Sequence, residues 1–166
     1  AKLIIEHCDA HIPEQPAEKG FLNLADEITS VLSVNNELNS DIGISINWGR
    51  SVIETRSAKG PIEHIKMAYQ SKLLKGIIFS GASDEETPYG QWRDSHMPPA
   101  SAFNIPHFAT GSLLTIEQIE KSLQQCDCDK LDFIGAKISL NPNKATVLER
   151  ISYIKSLLTL IEKAVN

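Results

Sequence analysis

Apolar and polar positions along the chain change period repeatedly, from two to about 3.6 and back, four times over. Leu3–Cys8, Ile42–Trp48, Gly76–Ser80 and Leu131–Ile138 are short, rich in β-branched residues, and read as strands. Helical spacing follows each of them. Leu22, Leu24, Ile28, Val31 and Leu32 predict a helix from about Gly20 to Leu38, closed by Asn39-Ser40-Asp41. Pro61 suits a first helical turn, and Ile62, Ile65, Met67, Ala68, Leu73 and Leu74 carry that helix to about Lys75-Gly76. Thr115 caps a short amphipathic helix through Ile116, Ile119 and Leu123. After a turn at Pro142, Val147, Ile151, Ile154, Leu157, Leu158 and Ile161 give the clearest helical stripe.

Strand–helix alternation of this kind predicts an α/β fold with a parallel sheet: four βα units, half of an eight-unit barrel. Parallel sheets place their ligands beyond the carboxyl ends of the strands. Each predicted strand ends in polar residues there: Glu6-His7-Cys8-Asp9, Asn47-Trp48-Gly49-Arg50, Ser80-Gly81 and Lys137. Between about Gly81 and Ser112 lies a long irregular stretch with Pro88, Pro98, Pro99 and Pro106. Its Tyr89, Trp92, Phe103 and Phe108 argue for order, and a loop so long in one compact domain is usually functional.

Composition narrows the partners. The 166 residues fit a single domain with a real core. A net charge of -5 gives no basic footprint for nucleic acid. No apolar run approaches the ~18 residues needed to cross a bilayer. Three cysteines are too few and too odd for a disulfide framework, which points to a reducing compartment and a cytoplasmic location. Cys126-Asp127-Cys128 has no partner pair to make a zinc site, and His64 and His107 read as structural.

Four constellations carry candidate chemistry. In the first strand, alternation puts Glu6 on one face and His7 on the other. If Glu6 points into a barrel, as base or metal ligand, His7 points into the helix layer; the bland alternative leaves Glu6 solvated at a strand end. On the same phase Gly43, Ser45 and Asn47 face inward, so Asn47 can hold a metal or a hydroxyl, with Trp48 beside it and Ser80 at the next strand end as candidate substrate contacts. Arg50 and Arg56 offer planar forks of donors to substrate oxygens, with Glu54 between them available for an ion pair to Arg56. Asp94 and His96, two apart on the long loop, point the same way and suit a metal or a proton transfer. Lys137, at the end of the last strand, works as a nucleophile, holds an oxyanion, or reaches solvent.

Ile4-Ile5-Glu6-His7-Cys8-Asp9, Ile46-Asn47-Trp48-Gly49-Arg50, Phe79-Ser80-Gly81 and the Tyr89-Gly90…Trp92…Asp94-Ser95-His96 loop resemble the later strands of the xylose-isomerase-like TIM barrels, in an uncharacterised bacterial branch. That resemblance implies a sugar or sugar-phosphate isomerase or epimerase, acting on a small carbohydrate. In the superfamily's catalytic members a divalent metal (manganese, zinc or magnesium) is held by Glu, Asp, His and Glu. By position, Glu6 keeps the first ligand, Asn47 replaces the Asp, and Ser80 falls where the His belongs, with His96 able to swing in. Lys137 stands in place of the last Glu, where its charge can substitute for the metal's. The alternatives are an aldolase-type lyase centred on Lys137 and a non-catalytic sugar-binding or assembly module. A half-barrel has two open sheet edges. They imply either βα units before Ala1, favoured by a start inside a strand without methionine, or a homodimer that pairs the edges.

Overall fold

The computed structural model describes residues 2–141 and 144–165, so the turn expected at Pro142 lies outside the described residues. Four parallel strands form one sheet in the order β1-β2-β3-β4: β1 Ile4–His7, β2 Gly43–Asn47, β3 Leu74–Phe79 and β4 Phe133–Ala136. The expected α/β architecture of four βα units is the one observed. Sequential strands are spatial neighbours, as in one half of a barrel, and β1 and β4 are the two edges.

Registers set the two faces of the sheet. Glu6 pairs with Ser45, Ser45 with Gly76, and Gly76 with Phe133. By alternation Glu6, Asn47, Ser80 and Lys137 therefore share one face. Ile44, Ile46, Ile77 and Phe79 share the other and are fully buried, forming the core with Leu24 and Val31 of α1 (Leu24–Leu38) and Ile65 and Ala68 of α3 (Gly60–Gln70). The sheet also curls. Its edge strands would stand about 14 Å apart if flat, yet Lys137, just past β4, meets Glu6 of β1 directly. The polar face is thus concave.

Several boundaries differ from the periodic pattern, each for a local reason. The first helix begins at Leu24 rather than near Gly20, because the Asn23 side chain accepts the Asp26 N–H at 2.9 Å and caps it. Phe21 instead joins the segment after β1: its N–H donates to the Asp9 carbonyl and its carbonyl accepts from the His11 N–H. The helix begun by Pro61 stops at Gln70, and Leu74 already pairs with Ile44 of β2, so the last apolar pair belongs to the turn and strand.

One helix, α2 (Trp48–Thr55), was not foreseen at all. Only eight residues long and carrying the polar Arg50, Ser51 and Glu54 among its seven buried residues, it offers too short a window for the helical period to stand out. It starts immediately after β2, with Asn47 as its N-cap.

The fourth helix, α4 (Ile116–Leu123), is capped by Thr115 as expected. In α5 (Val147–Val165) only the second half of the apolar stripe is covered: Ser156, Leu157, Leu160 and Ile161 are buried, while Val147, Ile151 and Ile154 stay exposed. At the other edge, a groove of about 400 Å³ runs between β1 and α1, lined by Ile5, Phe21, Leu22 and Val31. The long 81–112 segment is ordered by backbone bonds. Gly81 and Met97 exchange a pair at 2.9 and 3.1 Å, Leu113 N–H donates to Ala82, and Ala100 N–H donates to Leu114.

Gly49 lets the first turn of α2 approach the end of β3. A Cβ there would lie 2.6 Å from Ser80 Oγ and 2.8 Å from the Ser80 carbonyl oxygen. Gly49→Ala is expected to destabilise the fold by about 1–3 kcal/mol, the usual cost of overpacking. Urea denaturation would check it, and a change near zero would mean that α2 does not rest on Ser80 as described.

Candidate functional site

The concave face gathers charges from four parts of the chain. Lys137 Nζ donates to both oxygens of Glu6, at 2.6 and 2.7 Å. Asn47 Nδ2 donates to Glu6 Oε1 at 2.9 Å. Arg50, on the first turn of α2, lies at the centre: its Nη2 is 2.6 Å from Asp94 Oδ2, its Nη1 3.6 Å from Asp9 Oδ1, and its Nε 3.8 Å from Glu6 Oε1. Two cations, Arg50 and Lys137, thus face three carboxylates.

The long loop brings in Asp94 and His96. His96 Nδ1 is 3.3 Å from Asp94 Oδ1, close but without hydrogen-bond alignment. His96 adopts a left-handed backbone (φ 52°), held there because its carbonyl accepts the Ser139 N–H at 2.8 Å and Met97 pairs with Gly81. Asp94 and His96 thus meet beside the strand-end residues, brought there by a left-handed backbone and bonds to distant residues rather than by their spacing in an extended loop.

Burial works to raise the Glu6 carboxyl's pKa, but hydrogen bonds from Asn47 and Lys137 and the charges of Lys137 and Arg50 together outweigh it. They hold Glu6 below its usual 4.5. For His96, burial is the largest influence, and the Lys137 and Arg50 cations add to it. They prevail over Asp94 and Glu6 and keep the imidazole below 6.5, neutral at pH 7. A fixed cation beside a neutral imidazole is an arrangement for proton transfer next to a developing oxyanion.

Four buried polar atoms converge here without a hydrogen-bond partner: Arg50 Nε and Nη1, Asp9 Oδ1 and His96 Nδ1. Asp9, one of the polar residues at the end of the first strand but given no role of its own by sequence reasoning, joins this cluster. Its other oxygen accepts the Glu18 and Lys19 N–H groups at 3.0 and 2.9 Å, so it is fixed before any ligand arrives. Its place just beyond β1 was the only signal for it.

Other expected site residues have different work. Asn47 caps α2 through Arg50 N–H at 3.4 Å, accepts from Ser80 Oγ at 2.9 Å and donates to Glu6. It and Ser80 are buried scaffold. Trp48 has no exposed surface; it packs in the core on the helix side and donates from Nε1 to Ser122 Oγ of α4 at 3.2 Å. Arg56 lies outside the charge cluster: it donates to Gln15 Oε1 and the Pro16 carbonyl, with its guanidinium 5.1 Å from the Trp92 ring centre. Nor does Glu54 pair with Arg56; it turns to two histidines. His11 is exposed.

The divalent metal implied at Glu6, Asn47 and His96 does not fit the residues present. Both Glu6 oxygens are taken by Lys137, and the Asn47 amide is committed to three partners. A cation would have to displace Lys137, whose charge already occupies that position.

On the opposite face, His7 is fully buried under the helices, as alternation requires. Its Nδ1 lies 2.6 Å from Glu27 Oε2 and its Nε2 3.0 Å from Glu54 Oε2. Burial works to lower its pKa, but hydrogen bonds and charge from the two carboxylates override this and raise it to about 9. His64 of α3 lies nearby, pulled down to about 4, chiefly by burial. His7, Glu54 and His64 offer three ligand atoms within 4.8 Å of one another, a set of the kind that can hold a metal ion. Its members come from three separate elements, and Glu54 sits on a helix too short to be read from the sequence.

Fold and site together define an α/β half-barrel with a charged concave face. The chain belongs to the family described as "Domain of unknown function (DUF4862)", which matches residues 1–153. It is 32% identical over 163 residues to "Uncharacterized protein STM3670" of Salmonella typhimurium (strain LT2), a match that covers 98% of this chain and 48% of the relative. The chain thus spans about half the length of that curated relative. No solved structure matches it. Among the described residues, no helix is long and apolar enough to cross a membrane.

The Glu6–Lys137 pair generates two expectations. In a double-mutant cycle of Glu6→Gln and Lys137→Met, denaturation should show a coupling energy of about 0.5–3 kcal/mol; additive effects would mean that the pair is not held. Because the folded pKa of Glu6 lies below its unfolded value, its contribution is full above pH 4.5 and is lost as pH falls through the folded pKa. Acid titration of stability should therefore be less steep below pH 4.5 in the Lys137→Met variant.

Proposed function

We propose that the concave face binds a small polyhydroxylated carbonyl compound, a sugar or sugar phosphate, and takes a proton from the carbon beside the carbonyl, returning it to the adjacent carbon as a sugar isomerase does or to the opposite face of the same carbon as an epimerase does. The observation that carries this reading is the set of buried, unpartnered donors and acceptors around Arg50, Asp9 and His96. Buried polar groups demand partners, and a ligand with several hydroxyls supplies donors and acceptors together. Neutral His96 removes a proton from the carbon beside the carbonyl to give an enediolate and returns it to the neighbouring carbon, while the proton of the adjacent hydroxyl passes to the former carbonyl oxygen. Asp94 Oδ1 stands 3.3 Å from His96 Nδ1, near enough to favour the imidazolium that forms. Lys137 and Arg50 stabilise the oxyanion that forms between the two steps. The resemblance to xylose-isomerase-like barrels supports the same chemistry, with the ammonium of Lys137 where metal-using members place their ion.

A Schiff-base lyase finds less support. Lys137 Nζ spends its hydrogens on Glu6, the arrangement of a fixed cation rather than of a nucleophile.

The test is solvent exchange. Purified protein is incubated in D2O with a panel of aldoses, ketoses and their phosphates, and the proton next to the carbonyl is followed by NMR. Exchange is expected for at least one compound, slowed about 10²–10⁴-fold by His96→Gln. The rate should fall on the acid side with an inflection below pH 6.5, where His96 gains its proton. Binding without exchange would leave a carbohydrate-binding site and remove the isomerase. Neither binding nor exchange would remove both.

A further inference from the structure

We propose that His7, Glu54 and His64 form a second, separate site: a buried zinc-type metal centre between β1 and the α2–α3 layer. Each ligand comes from a different element, His7 from β1, Glu54 from α2 and His64 from α3. All three are buried.

The orientation of the two imidazoles is the first argument. His7 Nδ1 is held by Glu27 Oε2 at 2.6 Å, and His64 Nδ1 by Ser51 Oγ at 3.0 Å. Both Nε2 atoms are thereby turned toward one carboxylate, at 3.0 Å from Glu54 Oε2 and 3.8 Å from Glu54 Oε1. Metal-bound histidines have this second hydrogen bond on the ring nitrogen away from the metal, and a carboxylate is a common partner. A separation of 3.8 Å is too long for a hydrogen bond. It suits two atoms that each lie about 2.0–2.2 Å from a shared ion.

Charge is the second. Glu27 and Glu54 carry two carboxylates into a region where water is nearly excluded. Oε1 of Glu27 is buried and meets no donor. One proton on His7 answers only one of these charges, whereas a divalent cation between neutral imidazoles answers both. Two imidazoles with one carboxylate favour zinc over magnesium or calcium, which prefer all-oxygen sites. Burial gives the ion a structural role, tying an edge strand to two helices, distinct from the chemistry of the concave face.

The experiment uses the purified chain, stripped with chelator and titrated with Zn²⁺ alone by calorimetry. Co²⁺ is then substituted, and its visible spectrum read for tetrahedral ligation. One equivalent of zinc is expected, with a rise in melting temperature on binding. Affinity should fall at least 100-fold in His64→Gln and in Glu54→Gln, and be unchanged in Glu6→Gln. Circular dichroism establishes that each variant folds. Should His64→Gln or Glu54→Gln not fold, Ser51→Ala, which removes only the outer hydrogen bond, is expected to weaken binding about tenfold or more. Three results would overturn the proposal: no zinc bound by the folded wild type, affinity indifferent to the His64, Glu54 and Ser51 changes, or loss of binding in Glu6→Gln, which would put the ion on the concave face.

Discussion

Alternation in a single edge strand organises the charges of this molecule. Adjacent residues of a strand point to opposite faces, so Glu6 and His7 cannot serve the same network. Glu6 enters the concave face, where Lys137, Asn47 and Arg50 gather around it. His7 enters the helix layer, where Glu27 and Glu54 close on it. A slip of one residue in the β1–β2 register would exchange the two and leave both networks with the wrong partners. The bonds on both sides therefore lock β1 in place although it has only one neighbouring strand.

Curvature matters as much as alternation. Parallel pairing of four consecutive strands would give a sheet whatever its shape, but only a curled one lets Lys137 reach across from β4 to Glu6. That contact turns the polar residues of separate strand ends into one site. The long loop then closes from outside, held by the Gly81–Met97 exchange and the Ser139–His96 bond, and it delivers Asp94 onto Arg50. Arg50 is the meeting point of strand, helix and loop, and its Nε and Nη1 make no hydrogen bond there.

The helix α2 links the two faces. Arg50, near its start, works on the concave side, while Ser51 and Glu54 face the histidines. Gly49 permits the close packing against Ser80 that sets the helix at this angle. Sequence reasoning recognised Arg50 from its chemistry and position beyond a strand. It mistook the role of Trp48 and the partner of Glu54, because in a short helix whose polar residues are themselves buried the polar positions do not mark the solvent side.

What the sequence determined by itself was the local and the alternating: four strands, the cap at Thr115, Pro61 in a first helical turn, and the shared face of Glu6, Asn47, Ser80 and Lys137. These follow from the period of the backbone and from nearest-neighbour sterics, which short windows of residues contain. Tertiary structure alone decided which charges meet. Glu6 and Lys137 are 131 residues apart, and His7 and Glu54 are 47 apart. Such pairings depend on sheet curvature and on the angle of a buried helix, and neither leaves a periodic trace. That the Glu6 oxygens meet the Lys137 ammonium was decided in the same way, by which side chain the curled sheet brings within reach.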